Sequence, residues 1–221
     1  VLLEQGLMAK VRVIESNSEI EGRILFAFKK RVDEAITKSY NGIRSRVSNL
    51  VRDAILKSPT TLSLLSGQLK ADFGLTTELA NVAISSLVVL VGDNIQVDFV
   101  KKKKTGLNFS ILIALDAIDK IDIKAVVGGS YESYGENGVS VINWLEWLLT
   151  KGTQVIIPGF SVEYVNSPNS RSGLAVMQEG GAFRVAPEHA GILTDNFITR
   201  AIIGVSPQIA TIIKEELKKA L

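Results

Sequence analysis

The sequence lacks cysteine altogether and contains a single histidine, His189. Without a thiol, the chain cannot form a disulfide, a thiolate zinc site, an iron–sulfur cluster or a cysteine nucleophile. A metal site built from several histidines is likewise excluded within one copy of the chain. We interpret His189, which lies between Pro187 and Gly191, as a surface or turn residue. These absences exclude several common kinds of catalytic site, and we expect a structural protein with no cofactor and no catalytic residues rather than an enzyme.

The sequence also lacks a long apolar run and an excess of charge of one sign. Its most apolar stretches, residues 84–91 and 111–117, are far shorter than the roughly 20 residues that cross a bilayer. Its start does not show the basic and then apolar pattern of a signal peptide, so we expect a chain that is intracellular when made. The formal net charge of +2 does not indicate a strongly basic nucleic-acid-binding protein. Because 46% of its 221 residues are hydrophobic, the chain can bury a core without metals or disulfides.

Apolar residues at helical spacing dominate the first part of the chain. A capping-box pattern at residues 18–21 opens a stretch that ends before Ser58-Pro59. The apolar positions of this stretch are Ile20, Ile24, Phe28, Val32, Ile36, Tyr40, Ile43, Val47, Leu50 and Ala54. Unbroken, the helix would span about 55–60 Å, although Asn41-Gly42 could divide it into two. A helix of that length is expected to reach a neighbouring subunit.

The pattern then changes from helices to strands. A short helix over residues 67–73, ended by Gly74, and a second helix from Thr76 or Thr77 to about Leu90 complete a helical region. Alternation at residues 95–99 and 107–115, on either side of a turn at 104–106, predicts an antiparallel hairpin. We therefore divide the chain into a mainly helical region, 1–91, and an α+β domain with an antiparallel sheet, 92–221.

The rest of the second region is predicted to mix loops, strands and helices. Residues 128–138, rich in glycine and serine, read as a loop, and residues 141–149 read as a short amphipathic helix closed by Gly152. The following predicted strands are 154–157, 161–165, 173–178 and 183–185, and the final predicted helices are 196–203 and 207–221. The overall fold class is therefore α+β, with long N-terminal helices followed by an antiparallel sheet with packed helices.

Three aspartates recur at every third position: Asp116, Asp119 and Asp122, with Glu136 further along. Such carboxylates could ligate a hard cation or act as an acid–base pair, which would suit a hydrolase or nuclease. We favour the alternative that they form the solvated side of a strand end or turn, because no other residues converge there by spacing. No metal site is predicted.

Two glycine pairs, Gly128-Gly129 and Gly180-Gly181, could belong to phosphate-binding loops. Neither is followed by the Lys-Ser/Thr of a Walker motif, and neither has the spacing of a dinucleotide loop. Both pairs are therefore predicted to be turns.

The longest run of like charge is Lys101, Lys102, Lys103 and Lys104, which we call the lysine run. Four clustered ammonium groups could contact nucleic acid or an acidic partner through phosphate neutralisation. We favour a solvated hairpin tip whose lysines discourage edge-to-edge pairing, because no aromatic or arginine residues interleave with them. In a ring, one such tip per subunit would form a charged girdle that contacts the channel or a partner.

Two tryptophans, Trp144 and Trp147, lie three residues apart on one predicted helix face that Leu148 completes. Aromatic side chains concentrate both in cores and at subunit interfaces. Core packing is the default interpretation, and a subunit interface is the alternative.

Several short motifs resemble those of a known family. They are LKADFG at 69–74, WLEWLL at 144–149, SRSGLAVM at 170–177, FRVAPE at 183–188 and DNFITRAI at 195–202. In these motifs the chain resembles the neck and tail-completion proteins of tailed bacteriophages. The resemblance covers most of the chain, except that the glycine-rich loop and the lysine run are particular to this sequence.

The resemblance implies a virion protein that lies between portal and tail and has no catalytic residues. Its expected partners are further copies of itself in a sixfold or twelvefold ring, portal or connector proteins, tail proteins, and DNA that passes without sequence-specific binding. No membrane is involved, and the protein would assemble in the bacterial host cytoplasm and remain in the neck or tail of the virion. The residues assigned to the assembly interface are Trp144, Trp147, Arg171, Arg184 and Phe197, with the two arginines in interface ion pairs.

Three other functions stay open. A tail terminator or tail-tube-associated protein could have the same kind of fold and assemble at another position in the particle. A carboxylate-dependent enzyme would use Asp116, Asp119 and Asp122, and a cellular nucleic-acid-binding module would use the lysine run.

Overall fold

The computed structural model describes residues 16–101, 109–115, 123–135 and 138–221, and the fold class is α+β, as predicted. Within the described part of the first region, the chain forms four helices. They are α1 (Asn17–Leu56), α2 (Pro59–Ser66), α3 (Gln68–Asp72) and α4 (Thr77–Asp93).

Helix α1 is one unbroken helix of 40 residues, which corresponds to about 60 Å. It continues through Asn41-Gly42, so the alternative of two helices divided there is wrong. The predicted capping box at Ser18 was wrong by two residues, because Ser16 caps the helix instead. Ser16 Oγ accepts from the backbone N–H of Glu19, and the Glu19 carboxylate accepts from the backbone N–H of Ser16 at 2.8 Å.

Helix α2 was not predicted, since Pro59 was interpreted only as the end of α1. Proline is well suited to the first turn of a helix because its missing N–H has no partner there. Ser58 caps the new helix, with its Oγ accepting from the N–H of Thr61 at 3.1 Å. The predicted end of α3 and the predicted start of α4 are confirmed: Gly74 has a φ of 61°, and the side chain of Thr76 accepts from the N–H of Leu79. Helix α4 continues to Asp93, three residues beyond its predicted end.

The described strands form three separate two-stranded antiparallel sheets rather than one larger sheet. They pair β1 (Ile95–Lys101) with β2 (Phe109–Leu115), β3 (Tyr131–Gly135) with β4 (Gly138–Ile142), and β5 (Ile157–Glu163) with β6 (Val176–Phe183). The first hairpin was predicted. The second hairpin lies largely where a loop was predicted, so that prediction was wrong.

The four strands predicted after residue 152 were also wrong in number, because the chain forms two longer ones, β5 and β6. Gly180 and Gly181 lie inside β6 at φ values of 105° and 79°, not in a turn. Opposite them, a register shift between Pro158 and Phe160 marks a β-bulge, which lets the paired strands bend.

The second region also contains α5 (Trp144–Thr150), α6 (Phe197–Gly204) and α7 (Ser206–Ala220), and the last two are close to their predicted bounds. Helix α5 begins three residues later than predicted, because Val141 and Ile142 belong to β4. The hydrophobic core includes residues from both sides of the predicted boundary at 91/92, among them Val47, Leu87, Trp144 and Ile209. No helix among the described residues is long and apolar enough to cross a membrane.

Helix α7 runs antiparallel to α1, and two arginines of α1 hold the last part of α7. Arg46 donates to the carboxylates of Glu215 at 2.7 Å and Glu216 at 2.9 Å. These hydrogen bonds raise the pKa of Arg46, and the bond to Glu215 has the larger effect. Further towards the start of α1, Arg31 Nε donates to the carbonyl oxygen of Leu221 at 3.2 Å. The cover that α7 provides for α1 therefore reaches Arg31.

Candidate assembly interface

The first fifteen residues of α1, residues 17–31, are called the arm. Every residue of the arm is exposed or half-buried, whereas the buried residues of α1 begin at Ala35. At the 1.5 Å rise of an α-helix, the arm is about 22 Å long. The arm therefore contributes little to the core of its own fold.

Large apolar side chains are nevertheless exposed on the arm. Ile24 is 62% exposed and Phe28 is 50% exposed, and their neighbours Leu25 and Phe26 are also exposed. Ile20, Ile24 and Phe28 recur every fourth residue, an interval that places them along one stripe of the helix. Continued along α1, the same interval reaches half-buried Val32 and buried Ile36. Because each step of four residues rotates by about 40° beyond a full turn, Ile24 lies about 120° around the helix axis from Ile36. The exposed apolar side chains of the arm therefore form a surface apart from the core-facing side of α1.

A second open apolar surface lies on the hairpin of β3 and β4, which is called the ribbon. The register places Tyr134 opposite Val139 and Glu132 opposite Val141, so these four side chains share one face. Tyr134 is 76%, Val139 58% and Val141 56% exposed. This face is called the outer face of the ribbon. Tyr134 donates to the Glu132 carboxylate at 2.7 Å, a contact that raises the pKa of Tyr134.

The inner face of the ribbon is covered by the rest of the chain. Tyr131 and Ile142 pair there and are both half-buried. The Tyr131 hydroxyl donates to the backbone carbonyl of Phe73 at 2.7 Å, and the Arg171 guanidinium lies 3.6 Å from the centre of the Tyr131 ring. Burial raises the pKa of Tyr131. The ribbon is therefore anchored on one side and open on the other.

The strongest acid–base feature of the described residues is a contact between Asp72 and Tyr164. The Tyr164 phenol donates to the buried Asp72 carboxylate, and Gln68 Nε2 donates to the same phenol at 3.0 Å. Burial raises the pKa of Asp72, and burial together with the Asp72 contact raises the pKa of Tyr164 to about 12. Because Tyr164 follows β5 directly, the pair ties the end of that strand to α3.

The Asp72–Tyr164 pair lines a cleft of about 250 Å³, which also includes Ser161 and Arg184. His189 lies close enough to interact electrostatically with Asp72. Its hydrogen bond is to another residue, because its Nδ1 lies 3.1 Å from Thr60 Oγ1. The described residues contain no group of three or more histidine or acidic side chains placed to hold a metal ion. The pair is best explained as a structural tie.

The predicted aromatic interface residues lie mostly in the core. Trp144 is fully buried, donates from Nε1 to the carbonyl of Gly128 at 2.9 Å, and packs against Phe73 with ring centres 5.8 Å apart. Phe197 is buried, and Trp147 is half-buried against the same core. Since Trp144 and Phe197 have no surface to offer a neighbour, they are not part of the candidate interface.

The two predicted interface arginines have different surroundings. Arg171 covers the Tyr131 ring and donates to the carbonyl of Glu132 at 3.4 Å, so within one subunit it supports the ribbon. Arg184 is exposed at the edge of the cleft beside Asp72. The ion pairs predicted for both arginines between subunits stay a prediction.

Several candidate residues lie at or beyond the limits of the description. Lys101 ends β1, and its backbone pairs with Phe109. The residues that lie outside the described part of the chain are Lys102, Lys103, Lys104, Asp116, Asp119, Asp122 and Glu136.

Comparisons of the chain with protein-family models, with curated proteins and with solved structures found no match. The candidate interface is therefore defined by the geometry of this chain, as the arm and the outer face of the ribbon. Sequence reasoning found Ile20, Ile24 and Phe28 through their helical interval. It missed Tyr134, Val139 and Val141, although the alternation of Val139-Ser140-Val141 was a signal for a strand.

Proposed function

We propose that this chain is a non-catalytic structural subunit that self-associates into a closed ring. The observation that carries this proposal is the arm, whose large apolar side chains Ile24 and Phe28 are exposed and whose residues include none of the buried core. Exposed apolar patches of this kind mark interaction sites. Full burial of a side chain such as Ile24 or Phe28 against a neighbour is worth about 1.5–3 kcal/mol before the cost of association.

A ring is proposed because the apolar side chains of the arm are not covered by its own subunit, and because each subunit carries one arm. When a surface at one place contacts a different surface on the next copy, the contacts run head to tail and close into a ring if the rotation permits. Neighbouring subunits in such a ring stabilise one another without disulfides, which this cysteine-free chain cannot form.

We place this ring in the neck of a tailed bacteriophage, between portal-side proteins and the tail. The support is the resemblance in motifs such as SRSGLAVM at 170–177, together with the arm. In this role the subunits surround the DNA channel, and the lysine run contacts phosphates without reading sequence. The protein would assemble in the host cytoplasm and remain in the virion.

Electron microscopy of the purified chain tests the ring. The expected result is a closed ring of one subunit number, sixfold or twelvefold, with an opening wide enough for duplex DNA. Labelling the protein in intact particles then tests its place: label between head and tail supports a neck protein, and label further along the tail supports a tail terminator. Particles that carry no label would contradict a virion role.

A further inference from the structure

We propose that the arm of each copy docks on the outer face of the ribbon of the next copy. This inference rests on the ring proposed above and names its contact surfaces. The arm presents exposed Ile24 and Phe28 with half-buried Ile20 beside them, and the outer face presents Tyr134, Val139 and Val141.

Each of these two apolar surfaces is uncovered in the single subunit, and each can cover the other. A two-stranded hairpin is only marginally stable in water and gains stability when a helix packs against it. The ribbon has its inner face anchored through Tyr131 and its outer face open. The arm is a helix whose apolar stripe is open. A helix laid across the outer face therefore covers both apolar surfaces at once.

The charges of the two surfaces are complementary. The arm includes four basic residues, all within 22–31, and two acidic residues, Glu19 and Glu21, at its start. Residues 131–142 include two glutamates and no basic residue. Of these glutamates, Glu132 lies on the outer face beside Val141. Opposite charges around an apolar contact favour this pairing and oppose an arm-to-arm pairing, which brings two basic segments together.

The positions of the two surfaces also agree with a ring. The arm and the ribbon are different parts of one chain, so every copy donates one arm and accepts another. This contact is heterologous, and it is the kind that generates rings. Pairing between two arms would instead be isologous and would give twofold dimers.

Disulfide cross-linking tests the docking directly, because the chain contains no cysteine of its own. Ile24→Cys and Val139→Cys variants, distinguished by a size tag, are expressed together, purified and oxidised. The matched control pairs Ile24→Cys with Leu62→Cys, which places the second thiol on an exposed apolar position of α2. Because docked cysteines meet at a high effective concentration, the Ile24–Val139 disulfide should exceed the control disulfide by about tenfold or more.

Two outcomes would overturn the docking. One is an excess of Ile24–Ile24 disulfides, which would show arm-to-arm pairing, and the other is equal yields from the test and control pairs. Light scattering of the same samples before oxidation separates the two proposals. Assembled protein without the Ile24–Val139 preference contradicts the docking alone, whereas monomers at every concentration contradict both the docking and the ring.

Discussion

Among single residues, Tyr164 and Asp72 show how burial changes acid–base behaviour in this protein. Burial raises the pKa of Asp72, so its contribution to stability is present below the usual carboxyl pKa and is lost as pH rises through the raised value. The pKa of Tyr164 is raised from 10.0 to about 12, so the folded state favours the neutral phenol. That contribution is present below pH 10 and is lost as pH rises towards 12.

Replacing Tyr164 with phenylalanine should therefore remove a phenol that titrates near pH 12. Spectrophotometric titration of the folded protein measures this change. Between pH 10 and 12, the free energy of unfolding of the wild type should fall more steeply than that of the variant. Tyr134→Phe, at an exposed position, serves as the control and should leave the titration near pH 12 in place. An unchanged titration in Tyr164→Phe would contradict the assignment.

Trp144 is predicted to stabilise the fold of the single subunit and not the contacts between subunits. Trp144→Ala removes a fully buried side chain and its hydrogen bond to Gly128, and should lower the free energy of unfolding by about 3–5 kcal/mol. Urea unfolding measures the loss. Leu62→Ala, at an exposed position, should change stability by less than about 0.5 kcal/mol. A Trp144→Ala protein as stable as the wild type would exclude this role.

At the scale of elements, the helices were more predictable than the strands for physical reasons. The long helix α1 has an apolar residue at every third or fourth position over most of its length, and no single glycine outweighs that pattern. The ribbon and β6 contain glycines in a strand context, such as Gly138 and Gly180, and glycine is a signal for a turn. Pairing with the neighbouring strand decides their structure, and for β6 that strand ends at Glu163, with residues 164–175 between the two.

The arm has a weak point at Gly22, which offers a test of this element by itself. A Cβ added at Gly22 would meet nothing within 4 Å, so Gly22→Ala should stabilise the arm helix by about 0.5–1 kcal/mol. Amide hydrogen exchange in the arm should slow by about two- to fivefold. Gly42→Ala is the matched control in the same helix, because there a Cβ would lie 2.5 Å from the Glu216 carboxylate. The control should therefore gain less, and unchanged exchange in Gly22→Ala would contradict an ordered arm.

At the scale of the whole molecule, the sequence predicted the long helix that carries the arm, but it assigned the interface to other residues and missed the ribbon. The arm was predictable because the interval of Ile20, Ile24 and Phe28 and the length of α1 are local properties. The outer face of the ribbon was not, because it depends on which residues pair across β3 and β4. The core role of Trp144 could not be separated from an interface role by composition, since aromatic residues are frequent in both.

The central claim is that the arm assembles identical copies, and native mass measurement of the wild type beside an arm variant tests it most directly. The variant Ile24→Ser/Phe28→Ser removes the two exposed side chains of the stripe and should keep its free energy of unfolding as a monomer within about 0.5 kcal/mol. Leu62→Ser is the control at an exposed apolar position elsewhere. The account predicts that the wild type and the control have one integral multiple of the subunit mass and that the arm variant is a monomer. A monomeric wild type, or an arm variant that assembles as the wild type does, would contradict it.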